Sequence, residues 1–372
     1  MKKIVFLTGT RADFGKIKSL LQILQRNEVF EPYIFVTGMH MLQEYGYTLI
    51  EVENSGFKNI STFKNFTHET SMDLTLAKTI EGFSAYIKRI KPDLIVVHGD
   101  RVEALAGAIV GSLNNILVAH IEGGEISGTI DELIRHSVSK LSHIHFVSNK
   151  EAEKRVLQMG ETTESVYVIG SPDIDVMFSN NLPTIAEVCS YYEIPFENYG
   201  VAMFHPVTTE NNKIKEYAEN FVEALIKSEK QYVVIFPNND LGSSSIIQSY
   251  KKLKGNPNFR VLPSLRFEYF LIVLKNADFI IGNSSAGVRE APYYGVQTIN
   301  IGTRQKNRSM HSQILHTNYV TKSILEAINT EFKNMLVDTK SFGNGNSANQ
   351  FLLCLISKNL WNLNHQKQFK EL

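Results

Sequence analysis

Short apolar runs alternate with amphipathic segments along almost the whole chain, and this alternation constrains the fold more than any other feature. The runs have the length of buried strands, and the segments between them have the period of helices. In the first half they lie at 3–7, 33–36, 94–97, 116–121, 144–147 and 166–169, and in the second at 201–204, 232–236, 260–262, 279–281 and 298–301. Strands that alternate with helices form parallel sheets. The pattern therefore predicts an α/β protein with two doubly wound domains facing each other across a cleft.

Two interruptions of this pattern predict where the domains end. Pro172 and the polar residues after it break the periodicity near position 174. A second loop around Gly343 and Gly345 precedes a final helix that is expected from about Ala348. No internal repeat and no low-complexity tract divides the chain further.

The composition excludes several classes of partner. Lys plus Arg and Asp plus Glu both total 38, so the zero net charge provides no field that would attract nucleic acid or an anionic membrane. No apolar run approaches the roughly 20 residues that span a bilayer, and the first run is too short for a signal peptide. Cys189 and Cys354 have no metal-site spacing. We expect a cytoplasmic protein with neither a nucleic-acid nor a membrane partner.

Acidic residues follow two consecutive apolar runs. Asp100 comes after the run at 94–97, and Glu122 comes after the run that follows. Residues just past the carboxyl ends of parallel strands line the ligand crevice, and paired carboxylates suit proton transfer. Asp131 lies close behind, with Arg135 four residues later as on one helix face. A single carboxylate is more often a helix cap or an ion-pair member, but three together predict an active site.

The loop at 9–16, between the first strand and the first helix, is a candidate phosphate site. Arg11 and Lys16 add positive charge to backbone amides at a helix start. An ordinary loop with solvated charges is the alternative, because the full dinucleotide-binding glycine pattern is missing.

The loop at 282–290 is a stronger candidate for binding a nucleotide diphosphate. Small residues at Ser284, Ser285 and Gly287 let backbone amides approach the phosphates, and a helix is expected to begin near Ala286. Glu290 could accept bonds from ribose hydroxyls, and Arg304 ends a nearby strand. The alternative is a simple capping loop.

His205 also follows a strand and is a candidate acid, base or phosphate ligand. The alternative for His205 is a structural role. Weaker histidine candidates are His120, His136, His143 and His145.

Taken together, these segments resemble the UDP-N-acetylglucosamine 2-epimerases, and within that family the hydrolysing branch of sialic acid biosynthesis. The similarity covers nearly the whole chain in order. The segments that carry it begin at Gly9, Val36, His98, His120, Ile134, Gly170, His205, Pro237, Gly282 and Gly302.

The resemblance implies a fold like that of the B-type glycosyltransferases, with the nucleotide sugar between two Rossmann-like domains. It implies an N-terminal domain at 1–174, completed by a C-terminal helix at 350–372, and a UDP-binding domain at 175–349. The implied reaction eliminates UDP across C1–C2 to give 2-acetamidoglucal, and water then adds to release N-acetylmannosamine. A homodimer is implied, and neither a cofactor nor a metal is expected.

The resemblance also implies roles for individual residues. Asp100, Glu122 and Asp131 would be the acid–base groups, and Arg135 would orient Asp131. The remaining catalytic candidate is His205, and the implied UDP-sugar contacts are Arg11, Lys16, Arg101, Asn238, Phe267, Phe270, Ser284, Ser285, Gly287, Glu290 and Arg304. Either of the two phenylalanines would flank the uracil.

Four alternatives stay open at this point. The same reaction could act on UDP-N,N′-diacetylbacillosamine, of the legionaminic acid pathway, and a non-hydrolysing epimerase would keep UDP on its product. A glycosyltransferase would share the fold but need an acceptor, and a UDP-sugar binding module would have no turnover. The chain has Asp131 where the non-hydrolysing branch has glutamate, and the shorter side chain could leave room for water.

Overall fold

The computed structural model describes residues 1–66, 71–305, 314–330 and 341–371, which form two compact units. The first unit comprises Met1–Glu125, Asp131–Ser179 and Lys340–Leu372, and the second comprises Ile126–Ile130 and Asn180–Thr339. The chain thus enters the second unit for residues 126–130 and again after residue 179. The domain bounds at 174 and 349, taken from sequence, stay predictions.

The first unit is built on a parallel sheet of 7 strands in the order β3-β2-β1-β4-β5-β6-β7. Its strands are β1 Lys2–Thr8, β2 Phe30–Val36, β3 Ile60–Thr62, β4 Leu94–His98, β5 Leu117–Ile121, β6 Ile144–Val147 and β7 Val166–Val168. The strand order reverses between β1 and β4, which pair directly. In open parallel sheets, ligands bind beyond the strand carboxyl ends at such a reversal.

Helices pack on this sheet because each has one apolar face. The helix that follows β1 buries Ile17, Leu20, Leu21 and Leu24, which recur at the spacing of one helix face. The helices grouped around this sheet are α1 Arg11–Gln25, α2 Leu49–Glu53, α3 Met72–Ile90, α4 Val102–Leu113, α5 Ile130–Leu141, α6 Lys150–Gln158, α7 Pro172–Met177, α14 Ser347–Ile356 and α15 Lys358–Trp361. From α14, Phe351 packs against Phe146 of β6 with ring centroids 4.9 Å apart. The C-terminal helices therefore complete the core of the first unit.

The second unit repeats the same design with 6 parallel strands in the order β10-β9-β8-β11-β12-β13. Its strands are β8 Gly200–Met203, β9 Tyr232–Ile235, β10 Phe259–Leu262, β11 Phe279–Gly282, β12 Gln297–Ile301 and β13 Ile314–Thr317. Its helices are α8 Ile185–Tyr192, α9 Ile214–Lys227, α10 Ser243–Tyr250, α11 Phe267–Lys275, α12 Ala286–Arg289 and α13 Thr321–Ile328. The order reverses between β8 and β11, which pair along their length.

The predicted α/β class with two Rossmann-like, doubly wound units is confirmed. Two edge strands, β3 and β13, were not predicted, because both are short and their Thr and His residues interrupt the apolar pattern. The expectation of a cleft between the domains stays a prediction. Within the residues that the structure describes, none of the helices combines the length and apolar character needed to cross a membrane.

Candidate active site

The first unit brings Asp100 and Glu122 to the carboxyl ends of two neighbouring strands. β4 and β5 pair in parallel register, and the two carboxylates follow their last residues. The backbone of Glu122 has φ of 73°, in the left-handed region that side chains other than glycine rarely adopt. Its N–H donates to the carbonyl of Phe146 at 3.2 Å, which holds this turn. Such backbone strain is typical of functional positions.

His98, the last residue of β4, bridges two carboxylates. Its Nδ1 lies 2.9 Å from Asp13 Oδ1, and its Nε2 lies 3.1 Å from Glu122 Oε2. Burial by itself would lower the pKa of His98, but hydrogen bonds to both carboxylates, and their charges, raise the pKa to about 9. The imidazole is therefore a cation at neutral pH, and it forms an ion pair with each carboxylate.

Asp13 is fixed by the start of α1. Its second oxygen accepts the N–H of Gly9 at 3.1 Å, while its own N–H donates to the side chain of Thr10, the N-cap of the helix. The loop predicted to bind phosphate is thus tied to His98 through Asp13.

Lys16 is buried within the same cluster. Its Nζ lies 3.9 Å from Glu122 Oε2 and 3.6 Å from Asp173 Oδ2. The structure therefore places this predicted phosphate ligand against carboxylates. Its contact with UDP stays a prediction.

Arg135 of α5 pairs with Asp100. The guanidinium is completely buried, and it also donates to the carbonyl of Glu125 at 3.4 Å. Burial would lower the pKa of Arg135, but the charge of Asp100 and of further carboxylates raises it. Asp131, in the first turn of α5, is among those carboxylates. The expectation that Arg135 orients Asp131 stays a prediction.

His120 holds the turn that carries Asp100. Its Nε2 lies 2.9 Å from the carbonyl of Gly99, and its Nδ1 lies 3.0 Å from Ser139 Oγ. Because a carbonyl only accepts, the proton is assigned to Nε2, and Nδ1 accepts from the serine. Burial lowers the pKa of His120 to about 3, so the ring is neutral.

The other weak histidine candidates have contacts away from Asp100 and Glu122. His145 pairs with Glu161 at 3.0 Å, and His143 accepts the N–H of Val118 at 3.1 Å. His136 lies 3.4 Å from Glu132, one turn earlier on α5.

The second unit has a polar cluster at its own reversal of strand order. His205 follows β8 and Asn283 follows β11, and the two residues exchange hydrogen bonds of 2.6 and 2.9 Å. The N–H of Asn238 donates to His205 Nδ1 at 3.0 Å. The carbonyl of Asn283 accepts from Arg304 at 3.2 Å and from Gln305 at 2.9 Å. Asn283 therefore links two of the predicted ligand-binding residues, His205 and Arg304.

The loop after β11 approaches the backbone of β8 very closely. A Cβ on Gly282, whose φ is 135°, would lie 1.9 Å from the carbonyl oxygen of Met203. The expected helix does begin at Ala286, but α12 has only 4 residues. Ser284 Oγ accepts the N–H of Ala286 at 3.3 Å, and Glu290 is buried at the end of the turn.

Other predicted contacts lie outside the loop that follows β11. Phe267 and Phe270 of α11 are only 4% and 7% exposed, so both rings are largely covered by protein. Asn238 Nδ2 donates to Asp240 at 2.5 Å. Arg101, the N-cap of α4, lies 3.4 Å from buried Glu103. Their contacts with a uracil or a diphosphate stay predictions.

Sequence reasoning missed the partners that organise both clusters. His98, Asp13 and Asp173 were not proposed as site residues in the first unit, nor was Asn283 in the second. A signal for His98 was present, because it is the final residue of a strand that leads into Asp100. Nothing in the sequence links Asp173 to Lys16, since they are joined only through folding.

Comparison with known proteins identifies the family of this chain. A profile of the family described as UDP-N-acetylglucosamine 2-epimerase matches residues 22–355. The chain belongs to the UDP-N-acetylglucosamine 2-epimerase family. It is 47% identical to a UDP-N-acetylglucosamine 2-epimerase of Neisseria meningitidis serogroup B, over 100% of both chains.

Two further relatives in the epimerase family have more specific names. A UDP-N,N′-diacetylbacillosamine 2-epimerase (hydrolyzing) of Legionella pneumophila is 31% identical and covers 94% of each chain. Polysialic acid biosynthesis protein P7 of Escherichia coli is 34% identical over 88% of this chain and 86% of its own.

Solved structures support the fold. A UDP-GlcNAc 2-epimerase of Neisseria meningitidis bound to UDP-GlcNAc has a TM-score of 0.78 at 18% identity, covering 95% of this chain and 99% of that one. The enzyme of Methanocaldococcus jannaschii, in complex with UDP-GlcNAc and UDP, also has a TM-score of 0.78, at 22% identity over 95% and 99% of the two chains.

Proposed function

We propose that the chain is a hydrolysing UDP-N-acetylglucosamine 2-epimerase, which converts UDP-N-acetylglucosamine and water to N-acetylmannosamine and UDP. The substrate is supported by the name of the relative at 47% identity. The hydrolysing reaction is supported by the relative named as hydrolyzing, and a sialic acid pathway by the relative named for polysialic acid biosynthesis.

The observation that carries this proposal is the pair of carboxylates at adjacent strand ends, each with its own cationic partner. Asp100 pairs with Arg135, and Glu122 pairs with His98. Inverting C2 requires one group that removes its proton and a second that returns a proton. Two carboxylates in different electrostatic surroundings suit these two tasks.

In the proposed reaction, a base removes the C2 proton as the C1–O bond breaks and UDP leaves with the bonding electrons. Water then adds to 2-acetamidoglucal, with oxygen bonding to C1 and a proton to C2. Asp100, Glu122 and Asp131 are the inferred acid–base groups. Cationic side chains and backbone amides stabilise the charge that develops on the departing diphosphate.

We infer that the polar loops of the second unit bind the UDP moiety. The backbone at the end of β11 lies so close to Met203 that Gly282 has no room for a side chain, and Asn283 holds His205 beside this loop. The inferred contacts in that unit are His205, Asn238, Phe267, Phe270, Ser284, Ser285, Gly287, Glu290 and Arg304. In the first unit, Arg11, Lys16 and Arg101 are the inferred cationic contacts.

The decisive assay for the substrate and product is proton NMR of the purified protein with UDP-N-acetylglucosamine in D₂O. We expect free N-acetylmannosamine with one deuterium at C2, together with UDP. A product that retains UDP would identify a non-hydrolysing epimerase. No turnover, with UDP-N,N′-diacetylbacillosamine converted instead, would identify the alternative substrate, and binding without any turnover would identify a binding module.

The role of Asp131 in admitting water is tested by Asp131→Glu, which adds one methylene. We expect this variant to convert part of the substrate to UDP-N-acetylmannosamine, because the longer side chain would displace the attacking water. Phosphorus NMR of the products measures the share that keeps the diphosphate on the sugar. If the variant released only free sugar, whether quickly or slowly, this role of Asp131 would be contradicted.

The remaining inferences concern the setting of the enzyme. We infer a cytoplasmic homodimer that supplies N-acetylmannosamine to sialic acid synthesis and needs no cofactor. Light scattering of the purified protein tests the dimer, and a monomer of 42.1 kDa would contradict it.

A further inference from the structure

We propose that His98 holds the proton that Glu122 delivers to C2 in the hydration step, whereas Asp100 is the base that removes the C2 proton in the elimination. This inference rests on the proposed function. His98 acts through Glu122 and is therefore a positioning residue, with Asp13 as its support.

The position of His98 fits the storage of a proton. The ring is 9% exposed and lies between Asp13 Oδ1 at 2.9 Å and Glu122 Oε2 at 3.1 Å. Asp13 is itself anchored by the N–H of Gly9, so the imidazolium has a fixed anion behind it. The opposite ring nitrogen, Nε2, lies 3.1 Å from one oxygen of Glu122, a distance over which a proton can pass.

The two carboxylates differ in what their partners can do. The guanidinium of Arg135 stays protonated in proteins, so it can stabilise Asp100 as a carboxylate but cannot lend it a proton. An imidazolium can give up its proton and recover it. The proton donor is therefore the carboxylate beside His98, and the base is the one beside Arg135.

The charged groups around His98 keep the proton on the ring at rest. Lys16 Nζ lies 3.9 Å from Glu122 Oε2 and favours the carboxylate form of Glu122. Asp13 favours the imidazolium. His120 and Arg135 also interact electrostatically with this pair. Asp173 lies 3.6 Å from Lys16, and Asp100 pairs with Arg135. His120 is neutral and adds no positive charge beside the ring.

The protons balance over one turnover. In elimination, Asp100 takes the C2 proton and UDP leaves. In hydration, the Nε2 proton of His98 passes to Glu122, the carboxyl proton of Glu122 bonds to C2, and water bonds to C1. The proton lost by that water returns to the His98–Glu122 pair, and Asp100 releases its proton to solvent. The net products are N-acetylmannosamine, UDP and one proton.

The test compares His98→Gln with wild type in an assay that counts UDP, 2-acetamidoglucal and N-acetylmannosamine separately by NMR. Glutamine can still donate a hydrogen bond to one neighbour but cannot exchange a proton. We expect formation of N-acetylmannosamine to fall about 100-fold or more, the range found for loss of a general acid. UDP release should fall much less, so that 2-acetamidoglucal accumulates. His316→Gln is the matched control, because this histidine is exposed in the second unit and contacts Asn300.

A second variant, Asp13→Asn, tests the same proposal if His98→Gln does not fold. It keeps His98 but removes the anion behind it, so we expect the same accumulation of 2-acetamidoglucal. In wild type, formation of N-acetylmannosamine should fall as the pH rises through the His98 pKa of about 9, because the imidazolium is then lost. This fall should move to lower pH in Asp13→Asn and be absent in His98→Gln.

The outcomes separate this inference from the proposed function. Wild-type protein that releases neither UDP nor N-acetylmannosamine would overturn the proposed function. Wild-type turnover, with UDP release and sugar formation falling in the same ratio in both variants, would overturn the role of His98 alone. The role of His98 would also be overturned if N-acetylmannosamine formation in Asp13→Asn fell over the same alkaline pH range as in wild type.

Discussion

At the scale of single residues, the site depends on two left-handed backbone positions. Gly99 has φ of 75° and precedes Asp100, and Glu122 has φ of 73°. The carbonyl of Gly99 accepts from His120 at 2.9 Å, and its N–H donates to the carbonyl of Ile121 at 2.9 Å. Both backbone polar groups of Gly99 are therefore held, so the direction in which Asp100 leaves the sheet is set by the backbone.

The Gly99→Ala variant should distinguish a role of Gly99 in positioning Asp100 from the backbone strain that the substitution adds. A Cβ at Gly99 would meet nothing within 4 Å, so the change costs only the backbone penalty, about 1 kcal/mol. Gly56→Ala is the matched control, because Gly56 has φ of 80° and equally open surroundings. We expect similar losses of stability in urea unfolding, whereas only Gly99→Ala slows UDP release. Equal rates of UDP release in the two variants would contradict this view of Gly99.

At the scale of elements, the segment after α15 is fastened to the first unit by one buried carboxylate. Glu161 is 3% exposed and accepts from Lys367 at 2.6 Å, Lys140 at 2.8 Å and His145 at 3.0 Å. Lys367 also donates to the carbonyl of Ser142 at 2.7 Å. The C-terminal segment thus adds a cation to a carboxylate that already binds one residue of α5 and one of β6.

Acidification should weaken this attachment over a defined range. Burial would raise the pKa of Glu161, but hydrogen bonds from His145, Lys140 and Lys367 lower it to about 2, from 4.5. A carboxyl whose folded pKa is depressed stabilises the fold above its unfolded value, so this contribution should be lost as pH falls from about 4.5 towards about 2.

Glu161→Gln should remove that dependence and cost about 3 kcal/mol at neutral pH, as for other broken buried ion pairs. Urea unfolding at several pH values measures both effects. Glu81→Gln is the matched control, since Glu81 pairs with Lys78 at the surface, where ion pairs contribute little. A loss no larger than in Glu81→Gln would contradict the proposed attachment.

At the scale of the whole molecule, each unit has its own hydrophobic core around its own sheet. Thermal unfolding is therefore best followed with probes for each unit, because one midpoint need not describe both. The inferred UDP-binding loops lie mainly in the second unit.

UDP should stabilise the protein by mass action. At 100 times its dissociation constant, a ligand that binds only the folded state adds about 2.7 kcal/mol, which raises the unfolding midpoint by several degrees. Uridine is the control, because it lacks the diphosphate on which the proposed contacts act. Equal shifts with UDP and uridine at the same concentration would contradict diphosphate binding by these loops.

The local pattern of the sequence was sufficient to predict most of the fold and to place two acidic residues at the ends of strands. Apolar runs and helical periodicity predicted the strands of both sheets, except for the edge strands β3 and β13. Asp100 and Glu122 could be placed at neighbouring strand ends because each lies within three residues after an apolar run. These features depend on residues close together in the chain, whose preferences can be read without knowing the fold.

The pairing of those residues was decided by the tertiary structure alone. Arg135 and Asp100 are 35 positions apart, and Asp13, His98 and Glu122 come from the start of one helix and the ends of two strands. Neighbouring strands of a parallel sheet are joined by long crossover connections, and their carboxyl ends lie on the same side of the sheet. Residues distant in sequence therefore meet there. Which cation meets which carboxylate depends on strand order and side-chain direction, and no local preference encodes either. The difference between Asp100 and Glu122 therefore arises only when the sheet is assembled.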